Sequence, residues 1–450
     1  MTANKSTPRL DKPRKPRHPS RSKNDRAWEI IFKEDKILDE IARQGFFQIS
    51  STRINQQREA RLMTKFDHAV KLPQIFRDNS LTIQPISRGN YIIGAFKSYF
   101  QLPRKTSVDV VYRELPPQIE TLEPSNIYSE SSAIICAFLS GMIDDIMGET
   151  TNFTVLGRMS TGKFDYKIRN LKTGLFHDIK VTNSQCEIDG GFEGESQFAI
   201  IEAKSETVND FIVRQLYYPY RLWNSKLEKE VVPIFLTISN DIFTFYRFRF
   251  NKEDLYNSLE LVSEHRYCIS KSDIEMSDIR SILVETRIIP DDEDIPFPQA
   301  DSFLRIIDLL GRLYNANEFL SKDEITLIYA FNERQTNYYV TAAIYLGLIT
   351  REQKTKQEVT YSLSKHGYFV MSQHPQKRNI ELLKCILQHR IFNDSLAAWL
   401  EKAEPLCEEE IVFIMGKGSE KIAVGSDTTR ERRASTVRGW IEWILMLPTI

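Results

Sequence analysis

The chain lacks any apolar run near the roughly 20 residues that a membrane-spanning helix needs. Its closest approach, "AIICAFLSGMI", runs directly into Asp144 and Asp145. The N-terminus is basic and proline-rich with no apolar segment behind it, so no signal peptide is expected. Five cysteines (Cys136, Cys186, Cys268, Cys385 and Cys407) are scattered without CxxC spacing, which suggests neither a zinc cluster nor a disulfide framework. A reducing cytoplasm is the expected compartment. No internal repeat is present, and no complete GxxxxGK[ST] phosphate loop. In "GRMSTGKF", Phe164 stands where the metal-binding hydroxyl belongs and a strand follows, which argues against an ATP-driven motor.

What is present is an ordinary soluble composition, 41% hydrophobic and 27% charged. At about 100–200 residues per domain, 450 residues imply two to four domains. The net charge of -1 hides an uneven distribution. From Lys5 to Arg26 the basic residues far outnumber Asp11 and Asp25, and Pro8, Pro13, Pro16 and Pro19 are interleaved. Residues 1–27 therefore read as a disordered basic tail, either a phosphate-binding arm or a solubilising segment.

Residues 28–118 read as a small α+β unit. Trp28, Ile31, Phe32, Ile37, Leu38 and Ile41 recur at helical spacing, with Gly45 placed to stop the helix, and Arg88-Gly89-Asn90 forms a turn between two short strands. Residues 119–289 begin with a helix over Ser125 to Glu149, with Ser125 as its cap. Strands follow at "FTVLGRM", "KFDYKIRN", "HDIKVTNSQCEID" and "FAIIEAK", then a helix from about Asn209 to Leu222, then "VVPIFLTI" and "IFTFYRFRF". That order predicts a mixed sheet flanked by helices. After the linker "PDDEDIPFP", residues 299–450 read as mainly helical. The fold class is thus α+β and multidomain.

The segment "CEIDGGFEGESQFAIIEAKSE" sets an acid before a glycine turn and ends an apolar strand in Glu202-Ala203-Lys204. On adjacent strands Asp189 and Glu202 can approach each other, and period-two alternation places Glu202 and Lys204 on one face. Carboxylates gathered in this way suit Mg²⁺, with the Ala203 carbonyl as a further ligand. Lys204 can orient an attacking water or stabilise a pentacovalent phosphate. Glu187, two residues before Asp189, is a rival ligand set deeper in the strand.

This constellation resembles the PD-(D/E)xK nuclease superfamily, with Asp189, Glu202 and Lys204 at the motif positions and Ile188 where proline commonly stands. The resemblance covers roughly residues 119–250. It implies a restriction-endonuclease-like core, Mg²⁺ as cofactor, Glu130 as a helix-borne carboxylate and Gln215 as a glutamine on the following helix. Residues 320–371 resemble a winged helix, placing Arg334, Gln335, Thr336, Asn337 and Tyr338 at the start of a recognition helix and Lys354, Lys356 and Gln357 at a wing tip. Further phosphate or base contacts are expected from Arg58, Arg61, Lys65, Arg88, Asn90, Arg158 and Lys163, and from Arg432 and Arg433 beside Arg430 and Arg438. The expected activity is site-specific cleavage of double-stranded DNA, as in a type II restriction endonuclease, by a homodimer with a companion DNA methyltransferase. Rival readings are a repair or mobile-element nuclease of the same superfamily, and a DNA-binding regulator with an inactive core.

Overall fold

The computed structural model describes residues 22–103, 108–122, 127, 129–269, 274–292, 294–316, 319–328, 333–353, 359–418 and 427–449. The fold is α+β with several mixed sheets. Among the described residues, no helix is long and apolar enough to cross a membrane.

The N-terminal part opens with α1 (Lys23–Glu34) and α2 (Ile37–Gln44). The Ser22 hydroxyl accepts from the Asp25 N–H while the Asp25 carboxylate accepts from the Ser22 N–H, a reciprocal cap that starts the helix at Lys23 instead of Trp28. Residues 22–27 thus belong to the folded body; residues 1–21 of the expected tail lie outside the described residues. The helix expected over Trp28 to Gly45 is two helices, because Lys36 takes a left-handed conformation (φ 49°) between them. Gly45 ends the second with φ 88°, which glycine tolerates without strain.

Strand β1 (Phe46–Ser50), short helices α3 (Ser51–Asn55), α4 (Ala60–Thr64) and α5 (Gln74–Asp78), and strands β2 (Thr82–Ser87) and β3 (Asn90–Gly94) complete this part. Arg88 and Gly89 make the turn between β2 and β3. The buried Trp28, Phe32 and Phe76 pack edge to face at 4.9–6.0 Å beneath the sheet.

Strands β4 (Tyr99–Gln101) and β5 (Val110–Tyr112) lead into the central part. The helix expected from Ser125 breaks at Gly141 into α6 (Glu130–Leu139), capped by Ser129, and α7 (Met142–Met147). Ser125 itself lies outside the described residues. Next come β6 (Asn152–Ser160), β7 (Lys163–Arg169), β8 (Phe176–Thr182), β9 (Gln185–Glu193), β10 (Gln197–Lys204) and β11 (Asp210–Ile212). Helix α8 (Arg214–Asn224), β12 (Glu230–Ser239), β13 (Ile242–Phe250), β14 (Leu259–Cys268) and α9 (Met276–Glu285) follow. Residues Asp210–Ile212, expected as the start of α8, instead pair with β4.

A seven-stranded sheet runs β5-β14-β13-β12-β10-β9-β6. Strand β10 pairs antiparallel with β9 and parallel with β12, and α8 makes the crossover between β10 and β12. β10 is buried on both faces: Phe198 and Ile200 join one apolar cluster with α8, and Ala199, Ile201 and Ala203 join another with α6 and α7. The segment from β6 to β9 is one long bent hairpin. At its corner the Thr161 N–H donates to Ser184 and the Asn183 N–H to Gly162, and β7 and β8 pass into a five-stranded sheet ordered β1-β3-β2-β8-β7. The N-terminal sheet is therefore completed by residues from the central part, while β5 belongs to the seven-stranded sheet.

The C-terminal part contains α10 (Phe303–Ala316), β15 (Leu320–Ser321), α11 (Lys322–Ile328), α12 (Glu333–Tyr345), β16 (Ile349–Gln353) and β17 (Val359–Leu363). The strands form a sheet ordered β15-β17-β16. Helices α13 (Lys365–Met371), α14 (Pro375–Leu387), α15 (Arg390–Lys402), α16 (Glu408–Gly418) and α17 (Asp427–Met446) follow, and their apolar residues join those of α10 and α12 in one core.

Candidate active site

Strand β10 carries its even-numbered side chains toward α8. Apolar residues fill that face as far as Ile200, after which Glu202 and Lys204 occupy it at the strand's end, 7% and 9% exposed. The antiparallel register with β9 runs to Ile201 opposite Gly190, so Asp189 and Glu202 lie just past the last pair. Glycine is required at 191, where a Cβ would stand 2.8 Å from Val155 Cβ. The Asp189 carboxylate accepts from the Ala203 N–H at 2.9 Å, fixing one strand end to the other.

Around this junction the expected residues converge. The Lys204 ammonium donates to Glu202 Oε1 at 2.5 Å and to the Ala203 carbonyl at 3.1 Å. Gln215, on the first turn of α8, donates to the same Glu202 oxygen, and its own Oε1 is buried with no partner. Glu130, at the first position of α6, brings a carboxylate to 4.0 Å from the Lys204 ammonium. Asp189, Glu202, Lys204, Glu130 and Gln215 all line one cavity of about 270 Å³.

Four more cations line that cavity. Arg158 from β6 and Arg214 from α8 reach it from the central part, and Arg61 and Lys65 reach it from α4 and the residue after it. Glu187 also lines the cavity but is paired with Arg158 at 3.3 Å, so the rival acid is already engaged by a cation. Two charged lining residues carried no signal in the sequence: Arg214, hidden beside Gln215, and Asp67, which the N-terminal part supplies from far along the chain.

Electrostatics follow from this crowding. Burial pushes the Glu202 carboxyl up to about 8, opposed by Lys204 and reinforced by Asp189. Burial also raises Glu130, again with Lys204 opposing and Asp189 reinforcing. Burial disfavours charge on Lys204, but Glu202, Glu130, Asp67 and Asp189 outweigh it and raise its pKa. One ammonium among these carboxylates stays charged, and Glu202 and Glu130 are the two whose burial favours taking up a proton.

Among the described residues, no three His, Cys, Asp or Glu side chains form a metal cage by themselves. The Asp189, Glu202 and Glu130 carboxylates line the cavity together with Asp67 and the Arg158-paired Glu187, and the Ala203 carbonyl joins them through the Lys204 ammonium it accepts from. Such a set suits a hard cation that keeps several waters, not one that demands a complete protein shell.

The other expected contacts are dispersed. Arg88 and Asn90 are exposed at the β2–β3 turn. Arg58 is tied to the Asn24 side chain at 2.8 Å. Lys163 starts β7, opposite Thr182 in the five-stranded sheet, and is absent from the cavity lining. Gln335, Thr336, Asn337 and Tyr338 lie in the first turns of α12, but Thr336 is 1% exposed and shares a 2.8 Å hydrogen bond with Thr326 of α11. It packs the helix pair together and cannot reach a base edge. Lys354, Lys356, Gln357 and the Arg334 side chain lie outside the described residues. Arg430, Arg432 and Arg433 lie in the first turns of α17; Arg432 is exposed, whereas burial lowers the pKa of Arg433. Arg438, farther along, donates to the Leu406 carbonyl at 3.2 Å.

Three family models match the chain, each described as a domain of unknown function: DUF6996 over residues 25–93, DUF6997 over residues 94–268 and DUF7226 over residues 305–449. The carboxylates, Lys204 and Gln215 of the site fall within the second, and Arg61, Lys65 and Asp67 within the first. No curated protein and no solved structure matches the chain.

Proposed function

We propose that the chain is a Mg²⁺-dependent nuclease acting on double-stranded DNA, built on a PD-(D/E)xK core and working as a restriction endonuclease. The observation that carries this reading is the convergence of Asp189, Glu202, Lys204, Glu130 and Gln215 in one cavity that Arg61, Lys65, Arg158 and Arg214 also line. The chain order helix, three antiparallel-paired strands, crossover helix and parallel strand (α6–α7, β6, β9, β10, α8, β12) supports it.

Asp189, Glu202 and the Ala203 carbonyl would hold Mg²⁺, which when bound supplies a Lewis acid for the scissile phosphate and lowers the pKa of water. Lys204 orients the attacking water and offsets charge on the pentacovalent phosphate. Gln215 holds the Glu202 carboxylate in place, and Glu130 supports Lys204 from α6. Arg61, Lys65, Arg158 and Arg214 grip the phosphodiester backbone, which carries no sequence information by itself. Base reading falls to the terminal parts. The α11, α12 and β15-β17-β16 arrangement resembles a winged helix, with Gln335 and Asn337 on its second helix, and Arg88 and Asn90 stand on the N-terminal turn. Cutting both strands with one site per chain implies a homodimer, and a host carrying such an enzyme needs a methyltransferase to protect its own sites.

A regulator with an inert core is the weaker reading, because four crowded carboxylates destabilise a fold that has no use for them. The test is incubation of closed-circular plasmid with the full chain and Mg²⁺, beside an EDTA control and Lys204→Ala. Discrete metal-dependent bands, lost in Lys204→Ala while DNA binding persists, are expected. An intact plasmid with retained binding would favour the regulator, and nicking without discrete bands would favour a structure-directed repair nuclease.

A further inference from the structure

Lys204 occupies the oxygens that the metal needs. Its ammonium donates to Glu202 Oε1 and to the Ala203 carbonyl, two of the three groups assigned to Mg²⁺ above, and the present inference rests on that assignment. A divalent cation at roughly 2.0–2.1 Å from its oxygen ligands repels an ammonium hydrogen-bonded to the same groups. Lys204 must then turn to another acceptor.

The cavity offers two. Glu130 lies 4.0 Å from the ammonium, and its side chain is 40% exposed. Asp67 is the other: its Oδ1 is sealed from solvent and has no hydrogen-bond partner, while its Oδ2 lies 3.8 Å from the exposed Lys65. A buried carboxylate oxygen without a donor is destabilising, and one that lines the same cavity as the Lys204 ammonium has a donor close at hand.

The backbone around Asp67 is pinned to the central part. The Ile212 N–H donates to the Asp67 carbonyl at 2.9 Å and the Tyr99 hydroxyl to the Phe66 carbonyl at 2.8 Å. His68 Nδ1 lies 2.6 Å from the Asp210 carbonyl oxygen. The segment that carries Asp67 is thus fixed by three contacts, on Asp67 itself and on its two neighbours. Burial opposes its ionisation, yet Lys204, ahead of Lys65 and Arg214, holds its carboxyl below the ordinary range.

We infer that Asp67 is the second seat of the Lys204 ammonium, a positioning residue supplied by the N-terminal part that receives Lys204 when Mg²⁺ takes Glu202 and the Ala203 carbonyl. The central part alone then lacks a group its metal-loaded state needs, and correct docking of the N-terminal part becomes a condition for metal binding.

The test is a double-mutant cycle on Mg²⁺ binding by the full chain, read by calorimetry and by the Mg²⁺-dependent rise in melting temperature. With Lys204 present, Asp67→Asn weakens Mg²⁺ binding roughly tenfold, because Lys204 is left with only the more exposed Glu130 and competes for the metal's oxygens. In the Lys204→Ala background the same substitution has no effect. Asp67→Glu restores part of the affinity. Equal weakening in both backgrounds would make Asp67 a direct ligand or a packing residue, and no weakening in either would remove its role; both outcomes overturn the inference. If Asp67→Asn does not fold, Asp67→Ser runs the same cycle. Plasmid cleavage by the wild-type chain is scored separately. A positive cycle with intact plasmid discards the nuclease and keeps the second seat, whereas a wild-type chain that binds no Mg²⁺ overturns both.

Discussion

Glu202 and Thr336 are both polar side chains on regular elements, and both are buried, at 7% and 1% exposure. Their surroundings differ. The Thr336 hydroxyl meets the Thr326 hydroxyl at 2.8 Å, and Thr326 also meets the Lys322 carbonyl at the same distance, so the helix pair α11–α12 answers its own polar groups. Glu202 is set among Asp189, Glu130 and Asp67, with Lys204 and Gln215 as its donors, and two oxygens nearby, on Asp67 and Gln215, have no partner at all. Burial is therefore a poor guide to role. A buried polar group that is satisfied belongs to packing, and a group of buried like charges with unmet acceptors is shaped for something that binds.

The sharpest way to break this comparison is Asp189→Asn. The amide oxygen can still accept from the Ala203 N–H, so the strand ends stay joined, but the charge facing the cavity is lost. Cleavage should fall by about 10²–10³-fold while the melting temperature holds or rises. Single-turnover plasmid nicking and thermal melting check the two halves. A rate near that of the wild type would mean the crowded acids are structural after all.

Asp308 of α10 tests the same idea on a carboxylate that is both buried and satisfied. It accepts from the Thr207 N–H at 3.0 Å and from the Ser239 hydroxyl at 2.9 Å, tying the C-terminal part to the strand ends of the central sheet. Burial nevertheless pushes its carboxyl up to about 6, against the pull of those donors. Its folded pKa lies above the unfolded value of about 3.9, so its contribution to stability is complete below about pH 4 and is lost as pH rises through about 6. The loss is up to about 2–3 kcal/mol on that shift. Urea midpoints at pH 4.5 and 7.5 should differ less in Asp308→Asn than in the wild type, and an unchanged difference would remove Asp308 as the cause.

The cations lining the cavity should produce smaller effects of a different kind. Neutralising Arg61, Arg158 or Arg214 one at a time should weaken DNA binding a few-fold and lower the salt slope by about one per residue. Lys163→Gln, away from the cavity, should leave the slope within error. Fluorescence anisotropy across a salt series reads both. Equal slopes for Arg158→Gln and Lys163→Gln would show that DNA does not follow the cavity.

Much of the site was legible because its signal is local. The alternation in "FAIIEAK" puts Glu202 and Lys204 on one face of β10, and that face is where they stand. The turn at Arg88-Gly89 and the stop at Gly45 needed only the freedom of glycine. The start of α1 was also legible, since Ser22 and Asp25 have capping-box spacing, but the basic, proline-rich composition before them hid it. What could not be read is what depends on distant partners. No periodicity tells that β7 and β8 leave one sheet to complete another. Thr336 reads as an exposed polar residue until Thr326 is brought beside it, and Asp67 reads as an ordinary loop acid until β11 fixes its backbone at the cavity.

Thr336→Val is the smallest and most specific test of the comparison. Valine keeps the volume and the branching at Cβ but removes the hydroxyl, leaving Thr326 its bond to the Lys322 carbonyl. With the Thr326 hydroxyl donating to the Lys322 carbonyl, the Thr336 hydroxyl is the donor in their pair, so the substitution takes one incoming donor from Thr326 without orphaning it. The cost should be about 1 kcal/mol or less, read as a small shift in the urea midpoint at unchanged slope. DNA affinity should not move, because the side chain faces the helix pair. Asn337→Ala, at the next and exposed position, should leave stability alone and weaken binding to a cognate site. If Thr336→Val weakens DNA binding as much as Asn337→Ala does, α12 meets DNA through a face that is closed in this structure, and the rule separating satisfied from unsatisfied buried groups does not hold for the C-terminal part.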